Sequence, residues 1–199
     1  MYLMRQNPGS CKGCLDKCLN DCCGIANITE EKMLNKFYPA LTVDKVQDIN
    51  AQMLRKNNIK GLILDIDNTL VPTHVKDADE AAVEWIRRVK NDGFKACIVS
   101  NASRRRVVRF NERLQLHAIH RASKPGTRAF HKAARLMELK PENIAVIGDQ
   151  IFTDVYGGNK AKMFTILVKP IHKKESVIVM LKRFPEKLVL KSYNRDKKN

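Results

Sequence analysis

The stretch Gly61-Leu62-Ile63-Leu64-Asp65-Ile66-Asp67-Asn68-Thr69-Leu70 decides the fold of this chain. A short apolar run between a glycine and a polar turn is typical of a buried strand in a parallel sheet. Asp65 and Asp67 then follow the carboxyl end of that strand, the edge at which open α/β sheets bind ligands. Because two acids in a nearly apolar setting repel each other, they need a cation, a proton or a polar substrate nearby. Taken alone, the run is equally compatible with a strand that ends in an Asx turn.

Three later segments also place polar side chains after an apolar run or before a predicted helix. In chain order they are Ile98-Val99-Ser100-Asn101, Lys124-Pro125-Gly126, and Ala145-Val146-Ile147-Gly148-Asp149 followed by Asp154. Each of these motifs is weak alone, whereas four in this order within about 90 residues are a strong signal. Together they resemble the haloacid dehalogenase (HAD) superfamily of phosphotransferases.

The alternation of strands and helices predicts an α/β fold. We expect a HAD-like (Rossmannoid) doubly wound parallel sheet with helices on both faces. Only about 30 residues separate Thr69 from Ser100, and a similar stretch separates Ser100 from Lys124. Since a helix and a strand fill each interval, we predict no cap domain and an active site open to bulky substrates.

Apolar spacing locates the helices. A first helix is predicted from an N-cap at Thr42 to Arg55. A second is predicted over residues 78–91, and a third over residues 126–139 with Pro125 suited to its first position. Further strands are predicted at 116–120, 144–147 and 163–168.

The HAD resemblance implies phosphoester hydrolysis through an aspartyl-phosphate. In that scheme Asp65 is the nucleophile, Asp67 is the general acid and base, and Lys124 neutralises the developing charge. The substrate-binding positions are Thr69, Ser100 and Asn101, the last through its backbone amide. The implied cofactor is Mg²⁺, with Asp65, Asp149 and the Asp67 carbonyl as ligands and with Asp154 holding metal-bound water or orienting Lys124.

Four longer strings sharpen the resemblance: LILDIDNTLVP from Leu62, VSNAS from Val99, KPGTRAF from Lys124 and GDQIFTDVYGGN from Gly148. They resemble the bacterial YqeG-type phosphatases of HAD subclass IIIA, which are similar to mitochondrial and plant phosphatidylglycerophosphate phosphatases. The similarity covers roughly residues 33–172. It implies phosphatidylglycerophosphate as the substrate, within phosphatidylglycerol and cardiolipin biosynthesis.

The charge balance favours anionic partners. The net charge is +16, and the last 29 residues hold nine Lys and Arg against three Asp and Glu. A phosphate ester, an anionic phospholipid surface and nucleic acid all fit such an excess. No apolar run approaches the roughly 18 residues of a transmembrane helix, and Met1 to Arg5 lack the apolar core of a secretory signal. We therefore predict a cytoplasmic location, with peripheral contact at the inner face of the membrane as an extension of it.

The two ends lie outside the resemblance. Residues 1–32 are predicted to be a Cys-rich extension, 33–172 the phosphatase domain, and 173–199 a basic amphipathic segment and tail. Cysteines spaced CxxCxxxCxxxCC fit a zinc or iron–sulfur site, but the second CxxC pair of a zinc ribbon is missing, so the pattern favours an incidental or redox-sensitive cluster over a metal site. These cysteines are Cys11, Cys14, Cys18, Cys22 and Cys23.

The basic C-terminal segment carries an apolar stripe. This pattern favours packing against the domain or a second subunit, with a membrane-surface helix as the alternative. The stripe consists of Val177, Leu181, Phe184 and Leu188.

An arginine run follows the Ser100-Asn101 motif. It is either a solvated helix face or a rim that attracts phosphate or lipid headgroups. Its members are Arg104, Arg105, Arg106, Arg109 and Arg113.

Other functions remain open beside the lipid substrate. One is a HAD phosphatase for a soluble sugar phosphate or a nucleic-acid end, and another is a non-catalytic phosphate-sensing module of the receiver type. Asp67 with Thr69 argues against the receiver, which needs no second aspartate there. An RNA-binding protein on an inactive scaffold is disfavoured because every catalytic position is filled. The sequence does not indicate the oligomeric state.

Overall fold

A computed structural model describes residues 34–171 together with Val189 and Tyr193. The chain divides into two compact units, Met1–Asn35 and Lys36–Asn199, and every strand and α-helix named below lies in the second. The predicted boundaries at residues 32 and 173 fall at or beyond the edges of the described part and stay predictions.

In the part of the chain that the structure describes, six parallel strands form one sheet in the order β1-β6-β5-β2-β3-β4. From the centre, the chain runs outward through β3 and β4, then returns to the other side through β5 and β6. The change of direction lies between β2 and β5, which is where doubly wound sheets bind ligands. The strands are β1 (Leu41–Val43), β2 (Gly61–Leu64), β3 (Lys95–Val99), β4 (His117–Ile119), β5 (Ile144–Gly148) and β6 (Phe164–Val168).

Between residues 34 and 171, five α-helices connect the strands, together with 3-10 turns at Asn35–Phe37, Val46–Asp48 and Pro141–Asn143. A π-helical turn, Ile151–Val155, follows β5. The helices are α1 (Ala51–Lys56), α2 (Glu80–Asn91), α3 (Arg104–Asn111), α4 (Arg128–Met137) and α5 (Tyr156–Lys160).

The helices cover both faces of the sheet, so alternate residues of each strand enter different cores. Leu62 and Leu64 of β2 share one core with Trp85 of α2 and Phe110 of α3. Ile63, which points to the opposite face, shares the second core with α4 residues such as Phe130 and Met137. The near-continuous apolar run of β2 therefore reflects burial on both faces. This confirms the predicted doubly wound α/β architecture of HAD type.

No cap domain is inserted among the described residues. Between β2 and β3 the chain forms a turn, closed by a β-bridge between Asp67 and Val71, and then α2. Between β3 and β4 it forms only α3. The carboxyl edge of the sheet is therefore left without a cap, as predicted.

The predicted helix from Thr42 to Arg55 is wrong in its first half. Thr42 lies in β1, and the chain then makes a 3-10 turn before α1 begins. The N-cap of that helix is Asn50, whose side chain accepts a hydrogen bond from the backbone N–H of Met53. Pairing between β1 and β6, more than 120 residues away in sequence, outweighs the local helical spacing of Val43 and Val46.

The third helix is shorter than predicted. Gly126 and Thr127 belong to the preceding turn, and α4 spans Arg128–Met137, so Pro125 is not at its first position. By contrast α2 agrees with its prediction within two residues. Its N-cap is Asp79, and Gly93 follows its end with a positive φ of 90°.

The segment before α1 is attached to the core by a tryptophan. Trp85 is buried in α2, and its indole N–H donates to the carbonyl of Ile49 over 3.2 Å. Val46 and Ile49 are buried beside it in the same core. The contact fixes residues 46–49 against α2.

Candidate active site

A buried lysine joins two carboxylates at the carboxyl edge of the sheet. Lys124 Nζ lies 2.8 Å from Asp65 Oδ1 and 2.6 Å from Asp154 Oδ1. The three side chains are only 3%, 8% and 2% exposed, respectively. Such charges are tolerated in a core only when paired and hydrogen-bonded, and here each has its partner.

The backbone dictates where the acids lie. Asp65 directly follows β2 and Asp149 directly follows β5, and these strands are paired neighbours in the sheet. Asp154 comes from the π-helical turn, where the Gln150 N–H and the Thr153 hydroxyl donate to its Oδ2 at 3.3 and 3.2 Å. A β-carbon at Gly148 would collide with the carboxyl group of Asp154. Only glycine therefore lets this turn fold back onto β5.

The three buried carboxylates fit a metal ion. One oxygen each from Asp65, Asp149 and Asp154 lies within 4.8 Å of the others. Hard cations such as Mg²⁺ prefer oxygen ligands of this kind. Three carboxylates face one ammonium here, so a divalent cation would complete the charge balance. Thr69, whose hydroxyl donates to Asp149 Oδ1 over 3.4 Å, helps to fix that ligand.

Lys124 keeps its charge despite its burial. Burial by itself lowers the pKa of the ammonium, but the charges and hydrogen bonds of Asp154 and Asp65 outweigh it. The net effect raises the pKa of Lys124 above its usual value. The side chain is therefore a permanent cation at the site.

Asp67 contacts a different cation from the other acids. Arg106 donates to Asp67 Oδ1 through Nη2 at 2.9 Å and through Nε at 3.2 Å. Partial burial raises the pKa of Asp67, and the neighbouring guanidinium of Arg106 opposes that rise. Asp67 therefore combines a partly dry setting with a charged partner.

The remaining predicted site residues surround the lysine. The side-chain carbonyl of Asn101 accepts from the Lys124 N–H over 2.8 Å, and its amide donates back to the Lys124 carbonyl over 3.3 Å. Asn101 thus fixes the backbone that carries Lys124. Ser100 is buried, and its hydroxyl accepts from the N–H of Ala102.

The arginine run divides between the site and the surface. Arg109 and Arg113 form ion pairs with Asp77 and Glu80, each at 2.7 Å. Arg104 and Arg105 are exposed in the first turn of α3. The contact of Arg106 with Asp67 was not predicted, because five arginines in ten residues offer no local signal for which one faces the site.

The cysteines at 11–23 and the stripe Val177, Leu181, Phe184 and Leu188 lie outside the described residues. Of the C-terminal segment, Val189 packs with Ile151, Val155 and Leu167, and the Tyr193 ring makes an edge contact with Tyr38. Cys97 is buried in β3, and burial raises the pKa of its thiol to about 12. No helix within the described ranges has both the length and the apolarity to cross a bilayer.

Comparison with known proteins shows which family this chain belongs to. The mitochondrial PGP phosphatase family matches residues 25–172. The Bacillus subtilis (strain 168) protein "Probable phosphatase YqeG" is 42% identical over 164 residues, which cover 82% of this chain and 95% of the relative. The glyceraldehyde 3-phosphate phosphatase of Pyrococcus furiosus is 25% identical over 97 residues, covering 44% of this chain and 40% of that enzyme.

A solved structure from Legionella pneumophila, described as a HAD-superfamily (subfamily III A) hydrolase, is 22% identical to this chain, with a TM-score of 0.39. The match covers 48% of this chain and 58% of the Legionella chain. The family match spans about three quarters of this chain, and the Bacillus relative is matched over nearly its whole length. The chain therefore belongs to the mitochondrial PGP phosphatase family and is a HAD-type phosphatase.

Proposed function

We propose that this protein hydrolyses phosphate monoesters through a covalent phosphoryl intermediate on Asp65, with phosphatidylglycerophosphate as its substrate. The observation that carries the proposal is the bridge from Lys124 to Asp65 and Asp154, with Asp149 beside them at the carboxyl edge of the sheet. This arrangement offers a nucleophile, a fixed cation and a set of oxygen ligands within one buried cluster.

The first step transfers the phosphoryl group to Asp65. A carboxylate oxygen of Asp65 attacks phosphorus, and the bond between phosphorus and the ester oxygen breaks. Asp67 gives its proton to that departing oxygen, so the alcohol leaves neutral. Lys124 donates its third N–H to a phosphoryl oxygen, since an ammonium has three N–H groups and two already contact Asp65 and Asp154.

The second step releases phosphate. Asp67, now a carboxylate, takes a proton from water, and the water oxygen attacks phosphorus as the bond to Asp65 breaks. Both aspartates return to their starting state. Ser100 and the backbone amide of Asn101 are assigned to hold the phosphoryl oxygens during both steps.

Mg²⁺ is the proposed cofactor, held by Asp65, Asp149 and the carbonyl of Asp67. When bound, it would neutralise charge on the phosphoryl group. Asp154 would hold water on the ion or orient Lys124, and the 2.6 Å contact favours the second role.

Three features support a lipid substrate. The matching family is described as the mitochondrial PGP phosphatases. Within the described residues no cap domain covers the site, so a bulky ester has room to enter. The net charge of +16 suits an anionic substrate presented on an anionic surface, which also supports peripheral contact with the inner face of a membrane.

The test is a comparison of substrates with purified protein and Mg²⁺. Phosphate release is measured from phosphatidylglycerophosphate in mixed micelles, from p-nitrophenyl phosphate and from a soluble sugar phosphate. Asp65→Asn is the control, and we expect it to lose at least about a thousandfold in kcat because it lacks the nucleophile.

The outcomes separate the two parts of the proposal. A clear preference for the lipid over both soluble esters supports the whole proposal. Activity confined to the soluble esters would contradict the lipid substrate but support the hydrolysis of phosphate monoesters. Equal activity of the wild type and Asp65→Asn on every ester would contradict the role of Asp65.

A further inference from the structure

Arg106 is the arginine of α3 that contacts a catalytic motif. Its Nε and Nη2 groups both donate to Asp67 Oδ1, and its Nη1 donates to the carbonyl of Lys76 over 2.7 Å. Its guanidinium carbon lies 5.3 Å from the centre of the Phe110 ring. The side chain is only 16% exposed, and its hydrogen bonds together with the Phe110 ring hold the guanidinium in place.

The neighbouring arginines lack this setting. Arg109, one turn further along α3, pairs with Asp77, and these side chains are 47% and 54% exposed. Arg113 pairs with Glu80 in a similarly open position. Only the phase of α3, which begins after the N-cap Ser103, selects Arg106 to face Asp67.

We propose that Arg106 is a positioning residue for the general acid. Both contacts converge on Oδ1 of Asp67, which leaves Oδ2 as the oxygen that carries the transferred proton. Arg106 already donates three of its five N–H groups within the protein, two of them to Asp67, and these contacts are those of a residue that orients Asp67. The inference rests on the proposed function, since it requires Asp67 to act as the acid.

The charge of Arg106 serves the same step. When Asp67 gives its proton to the departing ester oxygen, a carboxylate forms beside the guanidinium. A charge-assisted contact that is already in place stabilises this carboxylate without reorganisation. In the second step the same contact holds Oδ1 while Oδ2 takes the proton from water.

Leaving-group dependence separates this role from a structural one. p-Nitrophenolate is stable without a proton, so its departure needs little help from an acid. An alkoxide is a poor leaving group, and its departure needs the proton of Asp67. Loss of Arg106 should therefore slow alkyl esters far more than aryl esters, whereas a general loss of folded protein would slow both equally.

The test variant is Arg106→Met, which keeps an aliphatic side chain over Phe110 and removes every donor. We measure kcat/KM for glycerol 3-phosphate, phenyl phosphate and p-nitrophenyl phosphate with Mg²⁺. We expect a loss of about 10- to 100-fold on the alkyl ester and less than about threefold on p-nitrophenyl phosphate. Arg106→Lys should recover part of the loss, because it restores the charge without the paired N–H contact.

Two controls accompany this variant. Arg109→Met removes an arginine from the same helix and should leave kcat/KM unchanged on all three esters. In an Asp67→Asn background, Arg106→Met should add little further loss on the alkyl ester, because the group that it positions is gone. Thermal unfolding of each variant reports the folded fraction.

The results distinguish the positioning role of Arg106 from the proposed hydrolysis of phosphate esters on which it rests. Equal losses on alkyl and aryl esters, or full additivity with Asp67→Asn, would overturn the positioning role while the hydrolysis itself stands. If Asp65→Asn matches the wild type on all three esters, both the proposed function and this inference fail. A steeper dependence on the leaving group in Arg106→Met alone supports the inference.

Discussion

Two ion pairs of nearly equal length lie in opposite surroundings in this molecule. Lys124 and Asp154 are 2.6 Å apart with side chains 3% and 2% exposed. Arg109 and Asp77 are 2.7 Å apart, but about half of each side chain is in contact with solvent. The short distance is common to both, so distance alone does not say what an ion pair does.

The difference lies in what happens when one partner is removed. A buried charge that loses its partner has neither water nor a counter-ion, so the cost of desolvation remains. An exposed charge regains water, and its pair contributes little to stability. The interior pair is therefore tied to the fold and the site, whereas the surface pair is replaceable.

The largest effect is expected from Lys124→Met, which removes the cation of the buried pair. We expect it to destabilise the fold by about 3–5 kcal/mol, because Asp65 and Asp154 are left without their cation. Urea unfolding measures the effect with a chelator present. Phosphatase activity should fall at least about a hundredfold, since the charge at the phosphoryl group is lost. A stability change no larger than that of Arg109→Met would contradict the distinction between the two pairs.

Addition of Mg²⁺ to the metal-free protein tests the carboxylates of the interior cluster. We expect about 10 mM Mg²⁺ to raise the unfolding free energy of the wild type by about 1–3 kcal/mol, since only the folded chain presents the three carboxylates together. In Asp149→Asn this gain should disappear. The matched control is Asp77→Asn, which removes an exposed carboxylate and should keep the full gain. A gain that survives in Asp149→Asn would exclude Asp149 as a ligand.

Gly148→Ala tests the geometry of the buried pair without changing any charge. The added methyl group occupies the space of the Asp154 carboxyl group, so the turn must shift and the contact with Lys124 must lengthen. We expect a loss of about 1–3 kcal/mol in stability and a fall in kcat.

Gly61→Ala is the control for that variant, because Gly61 also lies in a buried strand, but a β-carbon added there would collide with Leu139 and approach Met137 at the opposite end of the sheet. It should lower stability and leave kcat unchanged. Equal effects of both alanines on kcat would show that the position of Asp154 does not limit the reaction.

The smallest effect is expected from Arg109→Met itself. Because Asp77 regains water when its partner is removed, thermal unfolding should detect no change beyond experimental error. Because the position is exposed, water reaches the Asp77 carboxylate directly. A large destabilisation would mean that the α3 surface pairs hold the turn before α2 in place.

Much of the fold and of the buried cluster was predictable from sequence, for a local reason. Asp65, Asp149 and Lys124 each follow an apolar run or precede a helix, and the parallel strand order brings such positions to one edge. The family resemblance supplied their order along the chain. The roles assigned to them stay predictions.

The misses have non-local causes. The strand at Thr42 depends on pairing with β6, which no local pattern reveals. The contact between Arg106 and Asp67 depends on the phase of α3. The five arginines of the run carry the same charge, and the sequence alone does not indicate which of them is buried. A helix start placed at Ser103 would have narrowed the choice, since the N-cap sets which side chains face the preceding loop.

The indole contact between α2 and Ile49 gives this protein an intrinsic optical probe. Trp85 is the single tryptophan in the chain, and it is 1% exposed. Its emission should be blue-shifted in the native state and move to the red when α2 separates from residues 46–49. Fluorescence can therefore follow this junction in every variant above, independently of any substrate.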